Sequence, residues 1–269
     1  MRIALMLPNC GAYPIAFLAA LKAGLVIVNL NPLDQPPALM HHLNDAGCET
    51  LITASFCLKN IKPILKETLL KHIITTDLGD EANGLTRLMI KLGMWWRYGS
   101  HATITTTKII QNNLVSILKQ TKQMQVYPYE TIEDDALIFI QYTSGTTGKA
   151  KGVMLTQKNI SSNLKQIDER ILPMLDGIIK PTVLTVLPLY HIFALMGNLC
   201  VFARMGAHQI LIPNGRDMNS IYRAFKKYQI EVMSGVNTLF YHLLCHASFK
   251  KLNRFSLKFC IAGGMALNK

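Results

Sequence analysis

The densest chemistry in the sequence lies in the ten residues after Tyr142. Thr143, Ser144, Thr146 and Thr147 bring hydroxyls, Gly145, Gly148 and Gly152 leave backbone uncovered, and Lys149 and Lys151 carry charge. Glycines let backbone N–H groups approach an anion, and consecutive amides form an anion-binding nest. Hydroxyl donors and a lysine ammonium add directed bonds and full charge. Apolar, strand-like stretches, "ALIFIQY" before and "GVMLT" after, close the segment on both sides. The spacing is not that of a GxxxxGK[ST] loop, which runs straight into a helix. The loop therefore joins two strands as a hairpin. A plain hairpin needs only one or two turn residues, so the pattern points to phosphate, with a surface turn as the alternative.

Other residues are less committed. His191, in "LPLYHIFAL", read by itself is a hydrogen-bonded core histidine. Gly263 and Gly264 end the strand-like "LKFCIAGG", where absent side chains let a ligand lie against backbone or merely permit a tight exit. Gly235, Val236 and Asn237 in "SGVNTLF" fit a pocket wall, or a strand-to-helix turn capped by Asn237. His242, Cys245 and His246 share a helix face, but no fourth ligand is near, so a half-buried helix end is the better account.

The elements that must position these groups alternate. "RIALMLP", "LVIVNL", "ETLITA" and "LKHIITT" are apolar runs. They are separated by the helical "GAYPIAFLAALKAG", capped by Asn9 and ended by Gly24, by "PPALMHHLNDAG", ended by Gly47, and by "CLKNIKPILKET". After "GVMLT", with Thr156 as cap, the helix "QKNISSNLKQIDERILPML" leads to "TVLTVLP", a buried helix over 193–205, "HQILIP", "MNSIYRAFKKYQ", "IEVMSGV", "NTLFYHLLCH" and "LKFCIAGG". Continuous apolar strands between helices predict an α/β fold: two layered αβα subdomains with largely parallel sheets. The expected halves are 1–135, interrupted by an insertion over about 77–130, and 136–269, which carries the loop. Within the insertion, "HATITTTKIIQNN" reads as loop. "GLTRLMIKLGMWWRYGS" reads either as a helix packed on its own domain, the commoner case, or as an amphipathic helix lying on a membrane.

Composition narrows the class. Half of the 269 residues are hydrophobic and 16% are charged, with mean hydropathy +0.23. That is surface expecting cover, from a membrane or from further polypeptide. The net charge of +12 comes from singly scattered Lys and Arg. It suits anionic substrates or an anionic membrane face and argues against nucleic acid. The six cysteines form no CxxC pair, which fits free thiols in a reducing, cytoplasmic compartment. Pro8, Asn9 and Pro14 break the N-terminal apolar run, against a signal peptide. Pro188, His191 and Asn198 interrupt the uncharged stretch 181–203, so a buried strand and helix are expected there rather than a membrane span.

"YTSGTTGKAKG" resembles the phosphate loop of the adenylate-forming superfamily of acyl-CoA synthetases, luciferases and adenylation domains, departing from it at Ala150, where the family usually has proline. "LPLYHIFAL", "SGVNTLF" and "CIAGGMAL" are similar to its next motifs. With "ALMLPN", "KAGLVIVNLNPL" and "HHLNDAG", the likeness is nearest to bacterial long-chain fatty acid–CoA ligases. It covers nearly the whole chain outside 80–125. The resemblance implies a two-step reaction: a fatty acid carboxylate attacks the α-phosphate of ATP, giving acyl-AMP and pyrophosphate, and the coenzyme A thiol then displaces AMP. By that likeness Thr143, Ser144, Gly145, Thr146, Thr147, Gly148 and Lys151 hold the phosphates, with Thr147 and Lys151 catalytic. His191 is catalytic beside the carboxylate, and Gly235, Val236, Asn237, Gly263, Gly264 and Met265 shape the adenine and acyl pockets. Mg2+ is implied too, but the glutamate that serves it belongs to a Tyr-Gly-x-Thr-Glu segment absent from this chain. The ribose-binding aspartate that the family carries further on, and its C-terminal domain with a catalytic lysine, are likewise absent from this chain. The chain is therefore expected to be about half of an enzyme, inactive alone, with a separate C-terminal half and peripheral contact with the inner membrane face among its candidate partners. A non-catalytic acyl- or nucleotide-binding protein keeping the fold, and an adenylating enzyme for another acid, are the alternatives.

Overall fold

The structure, a computed structural model, describes residues 1–80, 82–98, 104, 108–121, 131–143, 149–175, 177–252 and 256–266. Two compact units divide the chain: Met1–Leu7 with Gly11–Lys158, and Pro8–Cys10 with Asn159–Lys269.

The first unit is built on a seven-stranded sheet. Its strands are β1 (Arg2–Met6), β2 (Val26–Asn29), β3 (Thr50–Ala54), β4 (His72–Thr76), β5 (Ile110–Asn113), β6 (Leu137–Thr143) and β7 (Lys151–Thr156), in the order β5-β4-β3-β1-β2-β6-β7. All neighbours are parallel except β6 and β7, which form the antiparallel hairpin expected around the loop. Four successive residues of β1, Ile3 to Met6, are buried, so the central sheet is covered on both faces. Helix α1 (Ala12–Lys22) lays Tyr13 and Phe17 into the core, where Phe17 stacks on Phe139 of β6 at 5.6 Å between ring centroids. Helix α2 (Pro36–Asp45) follows β2. Gly24 and Gly47 adopt φ of 63° and 61° after these helices, as their positions in the sequence suggest. After β3 the chain makes 3₁₀ turns around a single short helix, α3 (Leu58–Ile61), because Pro63 has no N–H to continue it.

Four details differ from expectation. The hairpin hydrogen-bonds to β2, so the compact units part after Lys158 and not at 136, and the strands flanking the loop belong to the first unit. "IIQNN", read as loop, supplies edge strand β5, followed by α5 (Leu114–Thr121). Asn9 does not cap α1: its side chain accepts from Leu189 N at 2.8 Å and donates to the carbonyls of Leu187 and Thr185 at 2.9 and 3.2 Å. Asn237 lies inside its helix without a side-chain cap bond, with Val236 at the cap position. Between β4 and β5, α4 (Gly84–Tyr98) is fixed through one face, where Arg87 and Lys91 reach Asp80 Oδ1 at 3.3 and 3.8 Å and Ile90 lies over Gly79.

The second unit carries a four-stranded parallel sheet of β8 (Thr182–Thr185), β9 (His208–Leu211), β10 (Val232–Gly235) and β11 (Phe259–Ala262), in the order β11-β10-β8-β9. Side-chain alternation sorts its core into two layers. Val183 and Val232 pack with Ile171 of α6 (Gln157–Ile171) and with Val201 and Phe202, whereas Leu184 and Met233 pack with Ile221, Phe225 and Leu239. The expected 193–205 helix is α7 (Ile192–Ala194), a π-helical turn Leu195–Cys200, and α8 (Val201–Arg204). The π turn directs buried Asn198 at the sheet. There it donates to Thr185 Oγ1 at 3.2 Å and accepts from Ser234 Oγ at 2.6 Å. Helices α9 (Met218–Lys227), N-capped by Asp217, and α10 (Asn237–Cys245) complete the other layer.

Candidate active site

In the first unit the site is a hairpin tip. Thr143, last in β6, pairs with Lys151, first in β7, and both side chains are exposed. Ser144, Gly145, Thr146, Thr147 and Gly148 lie outside the described residues. What is described is how the stems are held. The Tyr142 hydroxyl donates to Asp45 Oδ2 at 2.6 Å, with the His42 carbonyl 3.2 Å away. Its ring stacks on His42, centroids 4.2 Å apart and planes 24° apart. Its other neighbour is Gly152, where an added Cβ would stand 3.3 Å from Tyr142 Cζ and 2.8 Å from Ile140 Cγ2. On the return strand, His41 Nε2 lies 3.2 Å from the Ala150 carbonyl oxygen. Burial, then the Asp45 carboxylate, pushes the Tyr142 hydroxyl above its ordinary range. Burial also lowers His42, partly offset by Asp34, whose Oδ2 is 3.8 Å from a ring Nδ1 that has no hydrogen-bond partner. Deeper in the sheet, Tyr13 donates to Asn29 at 2.7 Å and Asn29 donates to Gln141 at 3.2 Å, tying β6 to β2 just before the loop.

In the second unit the residues singled out in the sequence gather at the carboxyl ends of the strands, where open parallel sheets bind ligands. Gly235 ends β10, and its carbonyl accepts from Gly263 N at 3.2 Å. Gly264 has φ 78°, and a Cβ there would meet Val236 Cγ1 at 3.6 Å. A Cβ on Gly263 would stand 3.0 Å from Phe193 Cζ, so this glycine makes room for that ring. Met265 is exposed beyond. His191 is exposed and extended just before α7, its ring 4.7 Å from that of Tyr190. The next residues, Ile192 and Phe193, line an apolar cavity of about 290 Å³, together with Ile167 and Ile171 of α6, Met196 of the π turn and Ile261 of β11. The sequence did not reveal this cavity, because its walls are mostly ordinary core-type apolar residues drawn from four elements. Gly235, Val236 and Asn237 do not line it. Among the described residues no three His, Cys, Asp or Glu side chains converge on one point.

Two compact units with largely parallel sheets covered by helices define an α/β protein. Its whole length, residues 1–269, matches the AMP-binding enzyme family, and the chain belongs to that family. It is 37% identical over 264 residues to the long-chain-fatty-acid–CoA ligase of Salmonella typhimurium, a match that covers 98% of this chain and 46% of that protein. Among solved structures it is similar to a red-emitting luciferase from Phrixothrix hirtus (TM-score 0.76, 18% identity, 99% of this chain and 46% of that one). It is also similar to a benzoate CoA ligase from Burkholderia xenovorans (TM-score 0.72, 20% identity, 99% and 46%). The chain thus spans about half the length of the curated relatives it matches.

Proposed function

We propose that this chain takes part in the AMP-forming activation of a long-chain fatty acid to its coenzyme A thioester. The carboxylate oxygen bonds to the α-phosphorus of ATP as the bond to the pyrophosphate oxygen breaks. The coenzyme A sulfur then bonds to the acyl carbon as AMP leaves. In this reading Thr143, Ser144, Gly145, Thr146, Thr147, Gly148 and Lys151 hold the phosphates and stabilise charge building on pyrophosphate, an effect often dominant in catalysis. His191 hydrogen-bonds at the carboxylate, and the backbone at Gly264, beside the Phe240 and Phe193 rings that lie over Gly235 and Gly263, takes the flat adenylate.

The observation that carries the acyl assignment is the cavity beginning at Ile192, one residue from His191, lined almost wholly by aliphatic and aromatic side chains. An alkyl chain gains about 0.8 kcal/mol per methylene buried there. Met196→Trp, which fills the cavity, should therefore weaken binding of a non-hydrolysable palmitoyl-adenylate analogue by roughly two-hundredfold if four methylenes are kept out. Calorimetry with adenosine triphosphate alone should show no change. Unchanged affinity for the palmitoyl analogue would remove the acyl chain from this cavity.

Peripheral contact with an anionic membrane is part of the same proposal. No helix among the described residues is long and apolar enough to cross a bilayer. However, the face of α4 turned away from Asp80 exposes Leu85, Leu88, Met89, Leu92, Trp95 and Trp96, a continuous stripe with Trp96 86% exposed. Aromatic and aliphatic side chains on a helix lying in the interface plane favour the headgroup boundary. The net charge of +12 adds attraction to an anionic leaflet. Flotation with phosphatidylglycerol vesicles should recover the chain, and Trp95→Ala with Trp96→Ala should cut recovery severalfold. Equal recovery would detach α4 from the membrane.

A further inference from the structure

Three residues of α2, at i, i+1 and i+4, reach both stems of the hairpin whose tip is the phosphate loop. On the outgoing strand, Asp45 takes the Tyr142 hydroxyl at 2.6 Å while the His42 ring stacks on the tyrosine. On the returning strand, His41 Nε2 meets the carbonyl of Ala150, one residue before Lys151. A carbonyl only accepts, so His41 carries its proton on Nε2 and donates, whether the ring is neutral or charged. Gly152 completes the arrangement: Ile140 and the Tyr142 ring occupy the space a side chain there would need.

An isolated two-stranded hairpin is marginal in water, and β7 is the edge strand of this sheet. Its backbone pairing with β6 ends at Thr143 and Lys151. Beyond that rung, Ala150 is fixed to the domain by His41, and Tyr142, the residue before the rung, by Asp45. Both bonds join residues about a hundred positions apart, which a merely local turn would not require. A loop whose amides and hydroxyls must converge on an anion loses affinity when its ends are free to splay, since ordering them is then charged to binding.

We propose that His41, Asp45 and Tyr142 are positioning residues, a clasp from α2 that sets the spacing of the loop stems and so pre-organises the loop for the phosphates of ATP, resting on the phosphate-binding reading of that loop. None of the three touches the reacting atoms in this assignment. They act through the backbone at Tyr142 and Ala150.

The test uses the chain as it stands, with inorganic pyrophosphate and ATP as probes. His41→Ala should weaken both by about threefold to tenfold, the equivalent of one neutral hydrogen bond, and should speed amide exchange from Lys149 to Val153 with the rest of the sheet unchanged. His41→Gln keeps an N–H near the Nε2 position and should restore both affinity and protection, a rescue that loss of bulk packing would not show. Tyr142→Phe, which keeps the ring on His42 and removes only the hydroxyl's bonds to α2, to Asp45 and to the His42 carbonyl, should weaken pyrophosphate similarly. Pyrophosphate failing to bind the unsubstituted chain would sink the phosphate reading and the clasp with it. Binding that His41→Ala and Tyr142→Phe both leave untouched would sink the clasp alone.

Discussion

The two units solve opposite problems. At the hairpin of the first, Thr143 and Lys151 are exposed at a strand end, and the surrounding contacts are polar and titratable: His41, His42, Asp45 and Tyr142 around the stems. At the strand ends of the second, contacts are steric. Phe193 lies over Gly263 and Phe240 over Gly235, and the cavity beside His191 is apolar. An anion site needs donors aimed outward and braced from behind, because its ligand supplies charge but little buried area. A site for an alkyl chain needs only well-shaped absence of side chains, because burial supplies the energy. If this contrast holds, charge and pH should act on the first unit and side-chain size on the second.

The largest expected effect breaks or keeps the charge side. Lys151→Ala should weaken ATP binding about tenfold to a hundredfold, the range for a lost hydrogen bond to a charged group, with the urea midpoint unchanged because the side chain is exposed. Titration calorimetry on both proteins measures it. Equal affinities would return the loop to the status of a surface turn.

On the size side, Gly235→Ala adds one methyl where Phe240 Cζ and Cε2 stand 2.8 and 2.9 Å from the new atom and Leu239 Cδ2 stands 3.2 Å away. Gly235 is buried at the end of a central strand, so the ring must move. Overpacking of this kind costs about 1–3 kcal/mol. Denaturant unfolding should show it in exchange protection of β8 and β10 and leave β1 and β3 unaffected. A neutral result would mean the strand ends are looser than the glycine packing implies.

What the sequence made legible follows from the range of each interaction. β1 to β4 were readable because strands buried on both faces must be continuously apolar, and Gly24 and Gly47 because a glycine just past an apolar helical run commonly closes a helix, as their φ of 63° and 61° bear out. The hairpin around the loop was readable from its two apolar flanks. β5 was not, because "IQNN" is a short edge strand of mostly polar residues, with its one apolar residue, Ile110, exposed. Asn9 looked like a cap because a cap is its commonest local use; its partners lie about 180 residues away. The π turn at Leu195–Cys200 leaves no mark in an apolar run, and Asn198, the residue it aims, looked like an interruption. His41 and Asp45 sat inside a quoted motif without being singled out, since only the pairing of β6 with β2 brings α2 to the loop. The clearest available signal was "HHLND", with three titratable side chains on one short helix.

The smallest effect is the most discriminating, because it separates the units by pH. Burial lowers His42 from its ordinary value of 6.5, with Asp34 and Asp45 opposing and His41 adding to the depression. A histidine whose folded value is depressed binds its proton more readily in the unfolded chain. Its contribution to stability is therefore complete above pH 6.5 and is lost as pH falls toward the lower folded value. One such group changes stability by at most about 1.4 kcal/mol per pH unit. In the second unit, burial opposes but the Ser220 hydrogen bonds hold Asp217 below its ordinary 3.8, so this N-cap loses its contribution only at much lower pH. Between pH 7.5 and 5.5, exchange protection of β6 and β7 should fall while that of β8 and β10 stays level. His42→Gln, which keeps polarity without titrating, should flatten the first response. A parallel loss in both units, or a slope that survives His42→Gln, would show that acid acts on the chain as a whole and that the polar hairpin is not where its pH sensitivity resides.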